Sequence, residues 1–155
     1  MQFIDINYGL HDTVINNIDE NGELLCLYFA NGVYHIDSTG KELNVTPKCR
    51  MEINIIGFNE RTAYKYVEIY RYYKNKFYEM KYIDFKKLLK QSIFDIEFDY
   101  YSGFNNSIML IGYIGKYKIE LIITDINKIN FYFDWSFSNK RKAKSLPLKL
   151  NLTKR

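Results

Sequence analysis

The sequence predicts an α+β domain that is mainly β, an antiparallel meander of about eight or nine strands with one short helix, arranged as a sandwich or a curved sheet. Three observations carry that expectation. Asn31-Gly32 separates two runs of alternating apolar residues, and alternation returns in four runs between Ile93 and Trp135. Only Ile83–Gln91 has the spacing of an amphipathic helix.

In chain order, Glu23–Ala30 and Val33–Ser38 flank Asn31-Gly32, a dipeptide that tolerates positive φ at both positions of a type I′ turn. A two-residue loop would pair Phe29 with Tyr34, Tyr28 with His35 and Cys26 with Asp37. Leu25, Leu27, Phe29, Tyr34 and Ile36 then make the core face, opposite Cys26, Tyr28, His35 and Asp37. Thr39-Gly40-Lys41 reads as the next turn and Met51–Gly57 as a third strand. Ala63–Lys74 and Phe77–Tyr82 read as a hairpin turning near Asn75.

The helix over Ile83–Gln91 takes Asp84 as its cap and gathers Phe85, Leu88 and Leu89 on one side. At about two turns it is too short to persist alone, so it must dock on a sheet. In the next strand Phe94, Ile96, Phe98 and Tyr100 alternate with Asp95, Glu97 and Asp99, which predicts an apolar inner face and an acidic outer one. Gly115-Lys116 suits a type II′ turn between Asn106–Ile114 and Tyr117–Thr124. The last run, Asn127–Trp135, directs Ile129, Phe131, Phe133 and Trp135 inward.

Residues 1–138 are read as one β-rich domain and 139–155 as a basic C-terminal tail. Leu146, Leu148, Leu150 and Leu152 alternate around Pro147, so a terminal edge strand is a second reading of the tail. The net charge of +4 comes from that tail, which holds seven basic residues and no acid. The body is acidic in residues 1–47 and 91–138 and basic in 48–90. Such asymmetry steers charged partners without specifying a fold. Cys26 and Cys49 match no spacing motif and are expected as reduced buried thiols. The N-terminus shows no secretory signal and no apolar run is long enough for a membrane helix, so a cytoplasmic protein without membrane association is expected.

Three groupings are candidate sites. Cys26, His35 and Asp37 share the outer face of the expected first hairpin, with His11 and Asp12 just upstream; these are zinc-ligand types, but the paired spacing of a metal site is missing. Asp95, Glu97 and Asp99 line up three carboxylates, a pattern that an exposed strand explains by itself. From Arg61 to Lys81 basic and aromatic residues interleave, including Tyr64, Tyr66, Tyr70 and Tyr72. Aromatics that stack on bases beside cations that hold phosphates are how sheet platforms bind single strands. No catalytic set, cofactor motif or metal motif is recognised, and an enzyme is not expected.

The opening Tyr8-Gly9-Leu10-His11-Asp12-Thr13, followed by Ile15, Ile18 and the Leu24–Phe29 strand, resembles the start of several small bacterial α+β families. Some of these resemble immunity proteins of polymorphic toxin systems. The likeness covers about the first 35 residues. It implies a cytoplasmic protein that binds and neutralises a toxin domain, and it assigns His11 and Asp12 a structural role at the strand entry. The sequence therefore points first to a protein-interaction domain, with Tyr64, Tyr66, Tyr70, Tyr72, Asp95, Glu97 and Asp99 as its surface. Its alternative is single-stranded nucleic-acid binding through the Arg61–Lys81 hairpin and the basic tail.

Overall fold

Period-two alternation forces most of this chain to bury one side of a strand and wet the other. In a computed structural model that describes residues 7–134 and 149–151, the chain forms thirteen strands in two antiparallel sheets. In order they are β1 Tyr8–Gly9, β2 Thr13–Asn21, β3 Leu24–Phe29, β4 Tyr34–Ile36, β5 Glu42–Val45, β6 Cys49–Asn54, β7 Val67–Tyr73 and β8 Lys76–Met80, then α1 Tyr82–Leu88. After α1 come β9 Phe94–Ser102, β10 Ser107–Ile114, β11 Tyr117–Ile123, β12 Lys128–Phe133 and β13 Lys149–Asn151. The small sheet has the order β1-β4-β5, and the large one β13-β12-β6-β3-β2-β9-β10-β11-β7-β8. The mainly-β, antiparallel class with one short helix is as the sequence predicts, but the strands outnumber the expectation. β1, β2 and β5 lie outside the expected strands, and β13 falls where the leucine alternation suggested an edge strand. Trp135 lies outside the described residues.

The large sheet does not lie flat. β11 and β12 are six strand positions apart, about 29 Å in a flat sheet at about 4.8 Å per strand. The link between Ile123 and Lys128 reaches at most about 18 Å, five steps of ~3.6 Å. The sheet therefore bends, and its two halves turn their inner faces toward a common core. Hydrogen bonds at the two ends of the link fix the approach: Thr124 N–H donates to the Tyr66 carbonyl at 2.9 Å and Asn127 N–H to the Asn54 carbonyl at 2.8 Å. One buried cluster accordingly joins Leu27, Met51 and Phe131 from one half to Ile69, Leu110 and Leu121 from the other.

The helix fills part of the space between the halves. Phe85 packs edge-on against Phe94 at 6.0 Å and Tyr82 against Phe58 at 6.3 Å. Burying one such ring contributes about 1.5–3 kcal/mol, which is how a seven-residue helix is held. Its N-cap is Lys81 rather than Asp84, with no side-chain cap, and Asp84 sits inside the first turn.

Two expected registers are corrected. The Asn31-Gly32 hairpin does not form: β3 pairs with β2 and β6, whereas β4 pairs with β1 and β5 in the small sheet. A type I′ turn needs positive φ at both central residues, and only Gly32 has it, at +79°. Gly32 serves a chain crossing instead, since a Cβ there would lie 2.0 Å from the Thr46 carbonyl oxygen. In β9 the inward alternation holds for Phe94 and Ile96 and then reverses. A bulge opposite Ile111/Gly112 skips Glu97, so Phe98 and Tyr100 face out and Asp99 turns in. The β10–β11 hairpin forms as expected around Gly115, and β7–β8 turns at Lys74-Asn75.

Candidate functional site

The outer face of β9-β10-β11-β7-β8 is covered by no other described element. Register sorts its side chains into three cross-strand rows: Asp95, Tyr113, Lys118, Tyr72, Phe77; then Phe98, Ile111, Glu120, Tyr70, Glu79; then Tyr100, Met109, Ile122, Glu68. Phe98 is 49% exposed, Tyr100 53% and Phe77 61%. Four carboxylates stand on this surface (Glu68, Glu79, Asp95 and Glu120) against one cation, Lys118. The tyrosines are tied into it. Tyr72 donates to Glu120 at 3.3 Å, Tyr70 to Glu68 at 3.5 Å, and Phe77 rests on both rings at 5.6 and 5.8 Å. The Glu68 charge leads in raising the Tyr70 phenol above its ordinary value; burial followed by the Glu120 charge raises Tyr72. Both hydroxyls remain protonated donors at neutral pH.

Of the residues expected on an interaction surface, Tyr70, Tyr72 and Asp95 meet here. Tyr64 is exposed on the single turn of 3₁₀ helix at Ala63–Lys65, and Tyr66 packs against Phe58 at 6.5 Å. Glu97 stands in the bulge. Asp99 belongs to a different cluster. Its Oδ2 accepts the Leu10 N–H at 3.0 Å, and its Oδ1 lies 3.5 Å from His11 Nδ1. Phe98, Tyr100, Tyr113 and Phe77 are what the sequence reading missed. For Phe98 and Tyr100 the apolar alternation signalled a core face, and the only warning was Gly112, a glycine inside a strand pattern.

The five members of the expected polar cluster do not come together. His11 is paired through Nε2 with Glu42 and through Nδ1 with Asp99, and it stacks on Tyr34 at 5.7 Å. Glu42 comes from the small sheet and Asp99 from the large one, so the imidazole ties the two together. Ligand atoms of His11, Asp12 and Glu42 fall within 4.8 Å of one another, enough for a three-ligand cation site, but both imidazole nitrogens already face carboxylates. His35 lies tilted against the Tyr8 ring at 5.4 Å, Asp37 accepts from Thr39 and Lys41 within its own turn, and Cys26 is buried on β3.

The outer face of the other half is closed on itself. Cross-strand neighbours Asp19, Cys26, Glu52 and Asn130 form one row, flanked by Tyr28, Arg50 and Tyr132. Arg50 pairs with Glu52 at 2.8 Å and covers the Tyr132 ring at 4.7 Å, while Tyr28 donates to Asp19 at 3.2 Å. Burial, reinforced by Asp19 and Glu52, pushes the Cys26 thiol up to about 12. A cleft of about 720 Å³ beside Tyr28, Arg50 and Lys48 borders Asp134, where the described stretch stops.

Comparison with family models, curated proteins and solved structures finds no match for this chain. No helix among the described residues is long and apolar enough to cross a membrane.

Proposed function

We propose that this domain is a non-enzymatic protein-binding module whose docking surface is the outer face of β9-β10-β11-β7-β8, and that its partner is a basic protein. One observation carries the reading: a broad aromatic sheet face left uncovered by the described residues and bearing four acids to one base. Exposed aromatics on a sheet offer large contact area at low entropy cost, because the strands already fix the backbone. The surrounding carboxylates would speed association with a cationic surface and repel a phosphate backbone. A toxin domain with a basic surface is a partner of this chemistry, which fits the resemblance of about the first 35 residues to immunity-type families. In that reading the protein acts in the cytoplasm of a bacterium by blocking the toxin's own site.

The test compares the intact chain with Asp95→Lys/Glu120→Lys in capture from lysate of the source organism. Support is one stoichiometric protein that the wild type holds, that survives nuclease treatment, and that the reversed variant binds at least tenfold more weakly. If that protein is toxic when expressed alone, co-expression of the domain should restore growth. A partner retained equally by the reversed variant, or no partner at all, overturns the proposal.

A further inference from the structure

The two sheets meet at His11. We infer that its Nε2 and the carboxylates of Asp12 and Glu42 hold one divalent ion of the zinc class, which locks the small sheet onto the large one. This inference does not depend on the protein-binding one, because none of these residues lies on the outer face of β9-β10-β11-β7-β8.

The cluster is assembled from three separate stretches of chain. His11 and Asp12 lie in the turn between β1 and β2, bracketed by the buried Leu10 and Thr13, and the Asp12 N–H donates to the Ile96 carbonyl at 2.7 Å. Glu42 opens β5, and Asp99 comes from β9, where the bulge turns it inward. The imidazole is confined: Tyr34 stacks on it at 5.7 Å, and a Cβ at Gly9 would already lie 3.1 Å from its Cε1. A ring fixed in this way loses little freedom when it takes a ligand.

Neither carboxylate at the ring excludes an ion. A histidine that binds metal through one nitrogen usually gives its other N–H to a carboxylate, which fixes the tautomer. Asp99 stands in that place, 3.5 Å from Nδ1, and is itself held by the Leu10 N–H at 3.0 Å. The buried Tyr101 hydroxyl also faces Asp99; burial, then the Asp99 charge, raises it well above the ordinary phenol value, so it stays a donor. On the Nε2 side the paired carboxylate, Glu42, is a ligand in its own right. Ligand atoms of His11, Asp12 and Glu42 fall within 4.8 Å of one another, and a tetrahedral ion about 2.1 Å from each draws them to ~3.4 Å. The exposed Asp12 and Glu42 side chains can make that adjustment. The ion replaces the Nε2 proton, which leaves to water.

Charge points the same way. Three carboxylates surround one imidazole, and among the described residues no lysine or arginine pairs with any of them. Even a protonated ring leaves two negative charges in excess, which a divalent ion cancels. An imidazole among the ligands favours zinc over calcium, which takes oxygen.

The experiment titrates the chelator-treated full chain with zinc chloride by calorimetry, and with calcium chloride in parallel. The wild type should bind zinc, and Asp12→Asn and Glu42→Gln should each weaken that binding at least about tenfold. Asp125→Asn is the matched control and should bind zinc like the wild type. Both aspartates are exposed and left-handed, with φ +60° at Asp12 and +56° at Asp125, a conformation that asparagine keeps. The Asp12 carboxylate enters no ion pair among the described residues, so Asp12→Asn should keep the wild-type urea midpoint without zinc. Zinc should also slow amide exchange in β4 and β5 of the wild type, and not in those of Asp12→Asn. No zinc binding by the wild type, calcium binding as tight as zinc, or ligand variants that bind like the wild type each overturn the inference. Zinc that binds without slowing exchange in the small sheet overturns its role as a lock.

Discussion

One half of the large sheet turns Cys26, Glu52 and Asn130 outward yet keeps them buried, whereas the other turns out Phe98, Tyr100 and Phe77 and leaves them exposed. Both halves pack the same kind of inner face, rows of Ile, Leu and Phe, into one core. The outer polar row of the first half is roofed by its own neighbours, Arg50, Tyr28 and Tyr132. The outer aromatic row of the second has no roof among the described residues. Stability accounts for most of the first arrangement, since buried polar atoms need partners within the chain, although Asn130 Oδ1 is buried without one among the described residues. It does not account for the second, because rings left about half exposed gain less by folding than they would in the core. The contrast separates what the fold needs from what is available for binding.

The sharpest way to break that contrast is at Gly112. A Cβ there would lie 1.9 Å from the Asp95 carbonyl oxygen, a backbone atom that cannot give way without parting the strands. Gly112→Ala should cost more than about 3 kcal/mol, at the large end for a single substitution. Gly103→Ala is the matched control, because a Cβ there meets nothing within 4 Å, and it should leave the urea midpoint almost unchanged. Equal midpoints for the two variants would mean that the close β9–β10 approach and its bulge are not fixed features. The outward placement of Phe98 and Tyr100 would then lose its basis.

That bulge also shows where the sequence was legible and where it was not. Local signals worked. The β10–β11 hairpin, its Gly115 turn, the β7–β8 pair and the helix over Tyr82–Leu88 lie where spacing placed them, except that Ala63–Lys65, expected as the start of the strand, form a 3₁₀ turn and β7 begins at Val67. Each is settled by residues close in sequence. Failures came where distant chain decides. Gly32 looked like half of a type I′ turn, yet it is required by Thr46 passing across it, and nothing near residue 32 reveals that. Alternation in β9 looked unbroken to Tyr100 because a bulge inserts a residue without altering composition. The candidate surface was read in part for the same reason: Tyr70, Tyr72 and Asp95 were found by type, and Phe98 and Tyr100 were assigned to the wrong side.

The closed half can be tested by pH. Burial holds the Cys26 thiol near 12, against 9.0 for an ordinary thiol, with Asp19 and Glu52 adding to the shift. Below pH 9 neither the folded nor the unfolded chain ionises it, so its contribution is constant. Above pH 9 the unfolded chain loses this proton first, and stability falls until the folded thiol ionises near 12. Relative to Cys26→Ala, the wild type should lose about 1.4 kcal/mol per pH unit through this range, hence about 2 kcal/mol by pH 10.5. Parallel stability curves for the two proteins would show that water reaches the row beneath Arg50 and Tyr28. The two outer faces would then differ in composition but not in closure.

The smallest effect on stability is expected where the binding reading needs it. Phe98→Ser and Tyr100→Ser remove rings that are about half exposed and lie outside the core cluster. Each should cost no more than about 1.5 kcal/mol, half of what full burial of such a ring contributes. Serine also leaves the strand backbone free to keep its pairing with Ile111 and Met109. Cutting a ring of equal size from the core, as in Phe131→Ser, would instead cost at least about 3 kcal/mol. The informative quantity is the ratio of binding loss to stability loss. A fold that keeps its urea midpoint while its affinity for a basic partner drops tenfold carries these rings for recognition. Were either substitution to destabilise the chain by 2 kcal/mol or more, the ring would have to be packed under another part of the molecule. The acidic aromatic face would then be a covered surface, as closed as the row around Cys26.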